Sequence, residues 1–485
     1  MRSQSLPYPA LVVTLAYPLD FNQERNTKMT MHRRTLLKRS GTVAGLAAIG
    51  TSISPATHGV FAAQDDATLQ FWDTLNADPR LSIVEGLAEE FASENDGVTV
   101  EHRGWTLEEL QDTLPRVVES DQGPDVAQVN NGESLMGPMV RAGQLVDITS
   151  YVDEYGWAEG LPAGLLARNM YSADGTEFGT GQLWGVSAEA EIVGFYYNRT
   201  VFEEQGATLP ASLSELEATM QALVDAGQTA LVFGSLDGWA AIHLFGNIHG
   251  TMTTREYLDG LIYRSGEQSF EDPSIVNAAA KLVEWVERGF IMEGFDGIGA
   301  DDAAALFESG TGAMLMQGSW QAGSVANNLG ENGGFFLTPP QEVQASSTPA
   351  AAAAATPVAG APAVLHVGGV GIPYAITSNA GDADLAAALI DKLVSEDAFT
   401  ALVEAGLLPA GEIPTDQITE GTVAGDLYGA WNMALANNAL GHYLDWAAPG
   451  FYDVIVSQLQ SLLGGQVTPE EFAAALQEFY AASFE

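Results

Sequence analysis

The stretch ATLQFWDTLNADPRLSIVEGLAEEFASENDGVTVEHRGWTLEELQDTLPRVVESDQGPDVAQV (67–129) decides the fold. Thr68–Trp72 reads as a strand. Ile83, Val84, Leu87 and Phe91 then repeat at spacings near 3.6 and mark one face of a helix. Gly97 closes that unit, and Val98–Glu101 reads as a second strand. Leu107, Leu110, Leu114 and Val117 predict a helix that Pro115 perturbs. After the turn Gly123-Pro124, Asp125–Val129 is a third strand. Strand, helix, strand, helix, strand in this order predicts a largely parallel sheet covered by helices.

Beyond it, YSADGTEFGTGQLWGVSAEAEIVGFYYN (171–198) is rich in Gly and aromatic residues, with extended runs at Leu183–Ser187 and Ile192–Tyr197. Alternation then resumes. Leu216, Met220 and Leu223 form a helix face, Thr229–Phe233 a strand, and Val276, Ala279, Val283 and Val286 another helix face after Asp272-Pro273. Ala313–Gln317 is an apolar strand. QEVQASSTPAAAAAATPVAGAPA (341–363) keeps no period and reads as a surface insertion, a loop over 341–364. Val367–Ile372 is a strand, and Leu385, Leu389 and Leu393 lie on a helix. Val454, Ile455, Gln458 and Leu462 mark one C-terminal helix. Thr468-Pro469-Glu470-Glu471 caps the last, whose buried face is read as Phe472, Leu476 and Phe479.

With 485 residues, 46% of them apolar, the chain can bury more than one core. It has no Cys, which excludes disulfides, zinc ribbons, iron–sulfur sites, a thiol nucleophile and a lipid-bearing Cys at the start of a mature chain. The net charge is -45; after residue 63 there are 11 bases against 61 acids. Such a surface repels nucleic acid and anionic headgroups and favours a neutral or cationic ligand over phosphate.

The segment MHRRTLLKRSGTVAGLAAIGTSISPATHGVFAAQ (31–64) reads as an export signal. Arg33 and Arg34, followed by Thr35, Leu36, Leu37 and Lys38, resemble a twin-arginine motif. Gly41 to Ile53 is too short and too rich in small residues to span a membrane. Val60 and Ala62 suit cleavage near Ala62 or Ala63, so residues 1–63 are expected to be an N-terminal extension and signal peptide. Met29 and Met31 are alternative starts. The mature protein is expected in the periplasm or at the extracellular face.

Six segments in order then resemble the extracellular solute-binding proteins of carbohydrate ABC importers, the maltose-binding-protein-like group. They are LQFWDTLNAD (69–78); GPDVAQVNNGE (123–133) with GQLVDITSYVDEYGW (143–157); LWGVSAEAEIVGFYYNRTVFEEQG (183–206); LFESGTGAMLMQGSW (306–320); GGVGIPYAI (368–376); and GGQVTPEEFAAALQ (464–477). The resemblance implies an α/β fold of two lobes, each a mostly parallel sheet flanked by helices, with hinge strands between (the type II periplasmic-binding-protein fold). Lobe one would take 66–180 plus 365–407, and lobe two 181–340 plus 408–485. It also implies a monomeric receptor that holds a sugar, an oligosaccharide above all, and hands it to a membrane permease, with no cofactor, no metal and no catalytic residue.

A sugar ring offers flat C–H faces and a rim of hydroxyls, so its site needs aromatic rings beside groups that donate and accept hydrogen bonds. Trp72, Asp73 and Asn76 end the first strand, where ligands meet parallel sheets. Asn130 and Asn131 end the third, as binding groups or as a turn. Glu189 and Glu191 are read as diverging from an extended run, which argues against a paired acid and base; Glu189 is the binding candidate. By resemblance, Trp239 and Trp320 lie at the second lobe's cleft edge. Bare backbone at Gly369 would let a ligand approach, and Asp445 with Trp446 pairs a carboxylate with a ring. The alternatives are core packing for Trp72, Trp239 and Trp320, a solvated surface for Glu189, a plain turn for Gly369 and docking of the C-terminal helix for Asp445 and Trp446. The seven His form no metal pattern, and no P-loop, dinucleotide fingerprint or Gly-x-Ser-x-Gly elbow occurs. An exported carbohydrate-active enzyme and a receptor for a polyol, glycerophosphodiester or polyamine remain the competing readings.

Overall fold

A computed structural model describes residues 67–158, 161–341 and 364–483. The segment 31–64, read as an export signal, and residues 342–363 of the expected insertion lie outside these. Ten strands are described: β1 (Ala67–Asp73), β2 (Val98–Gly104), β3 (Val126–Gln128), β4 (Met170–Tyr171), β5 (Gln182–Leu183), β6 (Val186–Asn198), β7 (Leu231–Val232), β8 (Met314–Gly318), β9 (Gly333–Phe336) and β10 (Gly368–Ile376). β4 and β5 form a small ribbon; the others make one sheet in the order β2-β1-β3-β10-β6-β8-β7, with β9 also on β6.

The opening alternation folds as expected. Helix Arg80–Glu94 buries Val84, Leu87, Ala88 and Phe91, and β1 pairs in parallel with β2 and β3. Helix Leu107–Glu119 starts on a full capping box between Thr106 and Glu109 and runs through Pro115. Its buried stripe is Leu110, Leu114 and Val118 rather than Val117, four-residue steps along one face. Likewise Tyr480, not Phe479, completes the buried face of the last helix, Pro469–Ala482.

The sheet is mixed rather than largely parallel. β10 runs antiparallel to β3 and β6, and β6 antiparallel to β8 and β9. Only β7 and β8 repeat the parallel arrangement. The cause is the length of β6. Thirteen residues span about 43 Å, so its first half pairs with β10 through Ile192 while its second half pairs with β8 and β9 from Val193 onward. Strands that carry the chain across the molecule run against their neighbours.

Alternation along β1 sends Phe71 and Trp72 to opposite faces. Phe71 is buried in a cluster with Val84, Tyr374 and Leu389, whereas Trp72 packs on a second cluster that includes Phe195 and Trp446. Helix Trp239–Gly250 lies under the crossing strands, and ten of its twelve residues are buried. Its Asn247 is fully buried. The amide donates to Val193 O (3.1 Å) and accepts from Val367 N (2.9 Å), clamping β6 to the segment entering β10.

Asn247→Leu keeps the volume but strands two buried backbone groups. It is expected to cost on the order of 2–4 kcal/mol, read from the urea midpoint; a shift worth less than about 1 kcal/mol would mean that the clamp carries no such strain.

Candidate functional site

The carboxyl end of β1 holds Trp72, Asp73 and, three residues on, Asn76. Asp73 does not face outward. It is fully buried, and its Oδ1 meets His102 Nε2 at 2.8 Å and accepts from Leu75 N at 2.9 Å. Burial raises its carboxyl above the usual range, partly offset by His102. It shapes the loop rather than presenting oxygen to a ligand. Asn76 is exposed and its amide donates to Trp105 O at 2.8 Å. Trp105, just past β2, stands beside Trp72 with ring centres 4.9 Å apart. Nothing but its place after a parallel strand marks it in the sequence.

Of the Asn pair after β3, Asn130 is half-buried and Asn131 buried. Asn131 donates to Arg168 O at 3.1 Å and to Asn169 Oδ1, so it is taken up in structure. Arg168 itself is 2% exposed. Its guanidinium donates to Gly441 O at 2.7 Å and to Gly368 O, and its carbon lies 5.7 Å from the Trp446 ring centre. Burial holds its pKa below the ordinary value. The bare backbone of Gly369 is approached by Arg168, not left open: a Cβ there would fall 1.8 Å from Arg168 Nη1.

Glu189 is also buried and is held bidentate by Arg80, at 2.9 and 2.7 Å. Burial works against the charge on Arg80, but Glu189 more than offsets it and raises the pKa. Glu191 receives a hydrogen bond from Tyr443 Oη at 2.9 Å, and burial pushes its carboxyl up against the pull of Tyr443 and Arg80. The expectation that Glu189 and Glu191 diverge is overturned. Positions two apart on a strand share a face, and Arg80 interacts with both. Their partners nonetheless differ: an ion pair tethers one, a phenol and a half-open edge the other.

Trp239 and Trp320 are brought together, 5.8 Å between ring centres and nearly perpendicular. His243 meets both, at 5.1 and 5.7 Å, and lies 4.9 Å from Tyr443. Tyr443 lies 5.1 Å from Trp446. The result is a continuous string of rings from Trp320 to Trp446, passing Glu191 at Tyr443. Trp239 and Trp320 are half-buried, Trp446 only 4% exposed. Burial lowers the His243 pKa to about 3, so its imidazole is neutral, and its Nδ1 has no partner among the described residues. Asp445 is half-buried beside the string, and burial raises its carboxyl to about 7. His243, Tyr443 and Arg168 carry no local sequence signal, because only tertiary packing joins them to the Trp residues. Among the described residues no group of three or more His, Asp or Glu is placed to hold a metal, and no helix is long and apolar enough to cross a membrane.

Two measurements test these assignments. Glu189→Gln removes the bidentate ion pair and leaves Arg80 only the more distant Glu191; it is expected to cost about 3 kcal/mol, partly recovered in an Arg80→Met/Glu189→Leu double variant. Asp445 is harder to ionise folded than unfolded, so its contribution is present at low pH and lost as pH rises toward about 7. Asp445→Asn is therefore expected to match the parent below pH 4 and to gain on it steadily up to pH 7, in thermal melts across that range; a constant difference would refute the shift.

A family model described as bacterial extracellular solute-binding protein matches residues 86–458. No curated relative matches in sequence. Among solved structures, a chitin oligosaccharide binding protein is 21% identical with a TM-score of 0.72, over 87% of this chain and 99% of that one. A protein from a study of xylan utilization by Caldanaerobius polysaccharolyticus is 20% identical with a TM-score of 0.70, over 85% and 100%. The GacH receptor of Streptomyces glaucescens, solved without ligand and with acarbose, is 18% identical with a TM-score of 0.65, over 86% and 97%. These likenesses show the α/β, two-lobed binding-protein fold. With a model match over most of its length, the chain belongs to the bacterial extracellular solute-binding protein family.

Proposed function

We propose that this protein captures a neutral, hydroxyl-rich sugar, an oligosaccharide in particular, between two lobes and delivers it to the permease of an ATP-driven importer. The observation that carries the reading is the string Trp320, Trp239, His243, Tyr443 and Trp446 with Glu191 and Asp445 at its side. Rings suit the flat faces of a pyranose, and carboxylates and a neutral imidazole suit its hydroxyls. The lobes would be 66–180 plus 365–407 and 181–340 plus 408–485, joined through β6 and β10. A ligand touching both would hold them shut, since closure is favoured only by what binds the closed form better. Trp72, Asn76, Asn130, Trp239, Trp320 and Asp445 are the site residues with surface left to offer, whereas Asp73, Asn131, Glu189 and Gly369 support them. The names of the similar structures, chitin oligosaccharide and acarbose among their ligands, support the same class.

The protein acts by binding and carries out no reaction. It is exported by the twin-arginine signal, works as a monomer outside the cytoplasm and does not engage nucleic acid, consistent with its charge of -45. One observation favours a second reading: Asp445 has no cationic partner among the described residues, which suits a cationic ligand such as a polyamine.

Calorimetry with neutral oligosaccharides, monosaccharides, polyols and amines tests the assignment. Oligosaccharide binding in the micromolar range or tighter, weakened at least tenfold by Trp239→Ala or Trp320→Ala, is expected. Tight binding of an amine with no response to any carbohydrate would replace the sugar by a cation.

A further inference from the structure

In an acidic chain, most bases of the described region sit against carboxylates, as Arg80, Arg141, Arg199 and Lys392 do. Arg103 does not. It is exposed at the end of β2, and its guanidinium carbon lies 3.5 Å from the ring centre of Trp105 and 5.4 Å from that of Trp72. The two indoles are half-buried and tilted by 49°. Their backbones are pinned: Trp105 N donates to Asp73 O at 2.9 Å, and Asn76 donates to Trp105 O. Trp105 Nε1 is buried without a partner among the described residues. Both indoles pack on the cluster that Trp239 and Trp320 also join.

A paired indole surface at the carboxyl edge of parallel strands is a stacking platform, and here its face is occupied by the protein's own cation. We propose that Trp72 and Trp105 form a second sugar-stacking position and that Arg103 is its specificity-determining cover. A ring of a neutral oligosaccharide stacks on Trp105 by displacing the guanidinium, whereas a monosaccharide held at the Trp239–Trp320 end has no need to. Once Arg103 swings aside, the Trp105 Nε1–H is available to a ring hydroxyl. The chemistry is additive stacking against an exposed cation–π contact, so the cover penalises long ligands modestly rather than excluding them. This rests on the sugar reading above.

The test is calorimetry of the full chain with a neutral monosaccharide, a neutral oligosaccharide of the same sugar and an oligosaccharide bearing a uronate. In Arg103→Ala the ratio of neutral oligosaccharide to monosaccharide affinity is expected to rise about 2- to 5-fold, the worth of an exposed cation–π contact. In Trp105→Ala the same ratio is expected to fall. Arg103 is exposed, so its variant keeps the test valid should Trp105→Ala fold poorly. An unchanged ratio in Arg103→Ala overturns the cover. So does a lowered one, which makes Arg103 a direct ligand contact, or a loss confined to the uronate, which makes it an anion site. In those cases the sugar reading stands; a parent that binds no carbohydrate overturns both.

Discussion

The backbone ladder of β6 is the constraint on which the rest depends. Its thirteen residues bond to β10 on one stretch and to β8 and β9 on the next. A strand so shared cannot twist freely at both ends, and every group near its middle is held relative to both halves of the sheet. Glu189 and Glu191 sit there, Asn247 clamps it from below, and Tyr443 reaches it from the C-terminal region. In the closure proposed above, a continuous strand shared by both halves would serve as a hinge that bends without breaking its pairing.

Charge at this crossing is managed by pairing rather than exclusion. Arg80 answers Glu189 with a bidentate contact, and Arg168 finds backbone carbonyls instead of a carboxylate. Side chains of the protein lie over a strand start made of glycines: Gly369 leaves room for Arg168 and Gly371 for Glu191, whose Oε1 would lie 2.0 Å from an added Cβ. The Gly-rich start of β10 is thus explained by what crosses it. Buried pairs of this kind add little net stability yet fix geometry, because breaking one leaves a charge with nowhere to go. That leaves the half-buried rings and the oxygens of Glu191 and Asp445 as the groups proposed to meet the ligand.

Much of the fold is legible in the residue pattern. The helices at Arg80–Glu94 and Leu107–Glu119 have a polar and an apolar side, so their period of 3.6 stands out. The helix Trp239–Gly250 does not, since it is buried almost all round and an unbroken apolar run carries no period. Trp239 and Trp320 are identifiable as ring candidates, but Trp105, one residue past the end of β2, is found only through the pairing of β1 with β2, which brings it beside Trp72. Glu189 and Asp73 have the composition of ligand contacts, yet they are occupied by Arg80 and His102, which lie 109 and 29 residues away in the chain.

The sequence by itself determined the fold class, the family and the kinds of side chain available, because hydrophobic period, capping residues and turn glycines act over a few residues and are written locally. Tertiary structure alone decided which carboxylates are spent on partners, which rings line up, and that Arg103 lies on Trp105. Those outcomes depend on distances between segments tens to hundreds of residues apart, set only when the strands pair and the apolar faces close on one another.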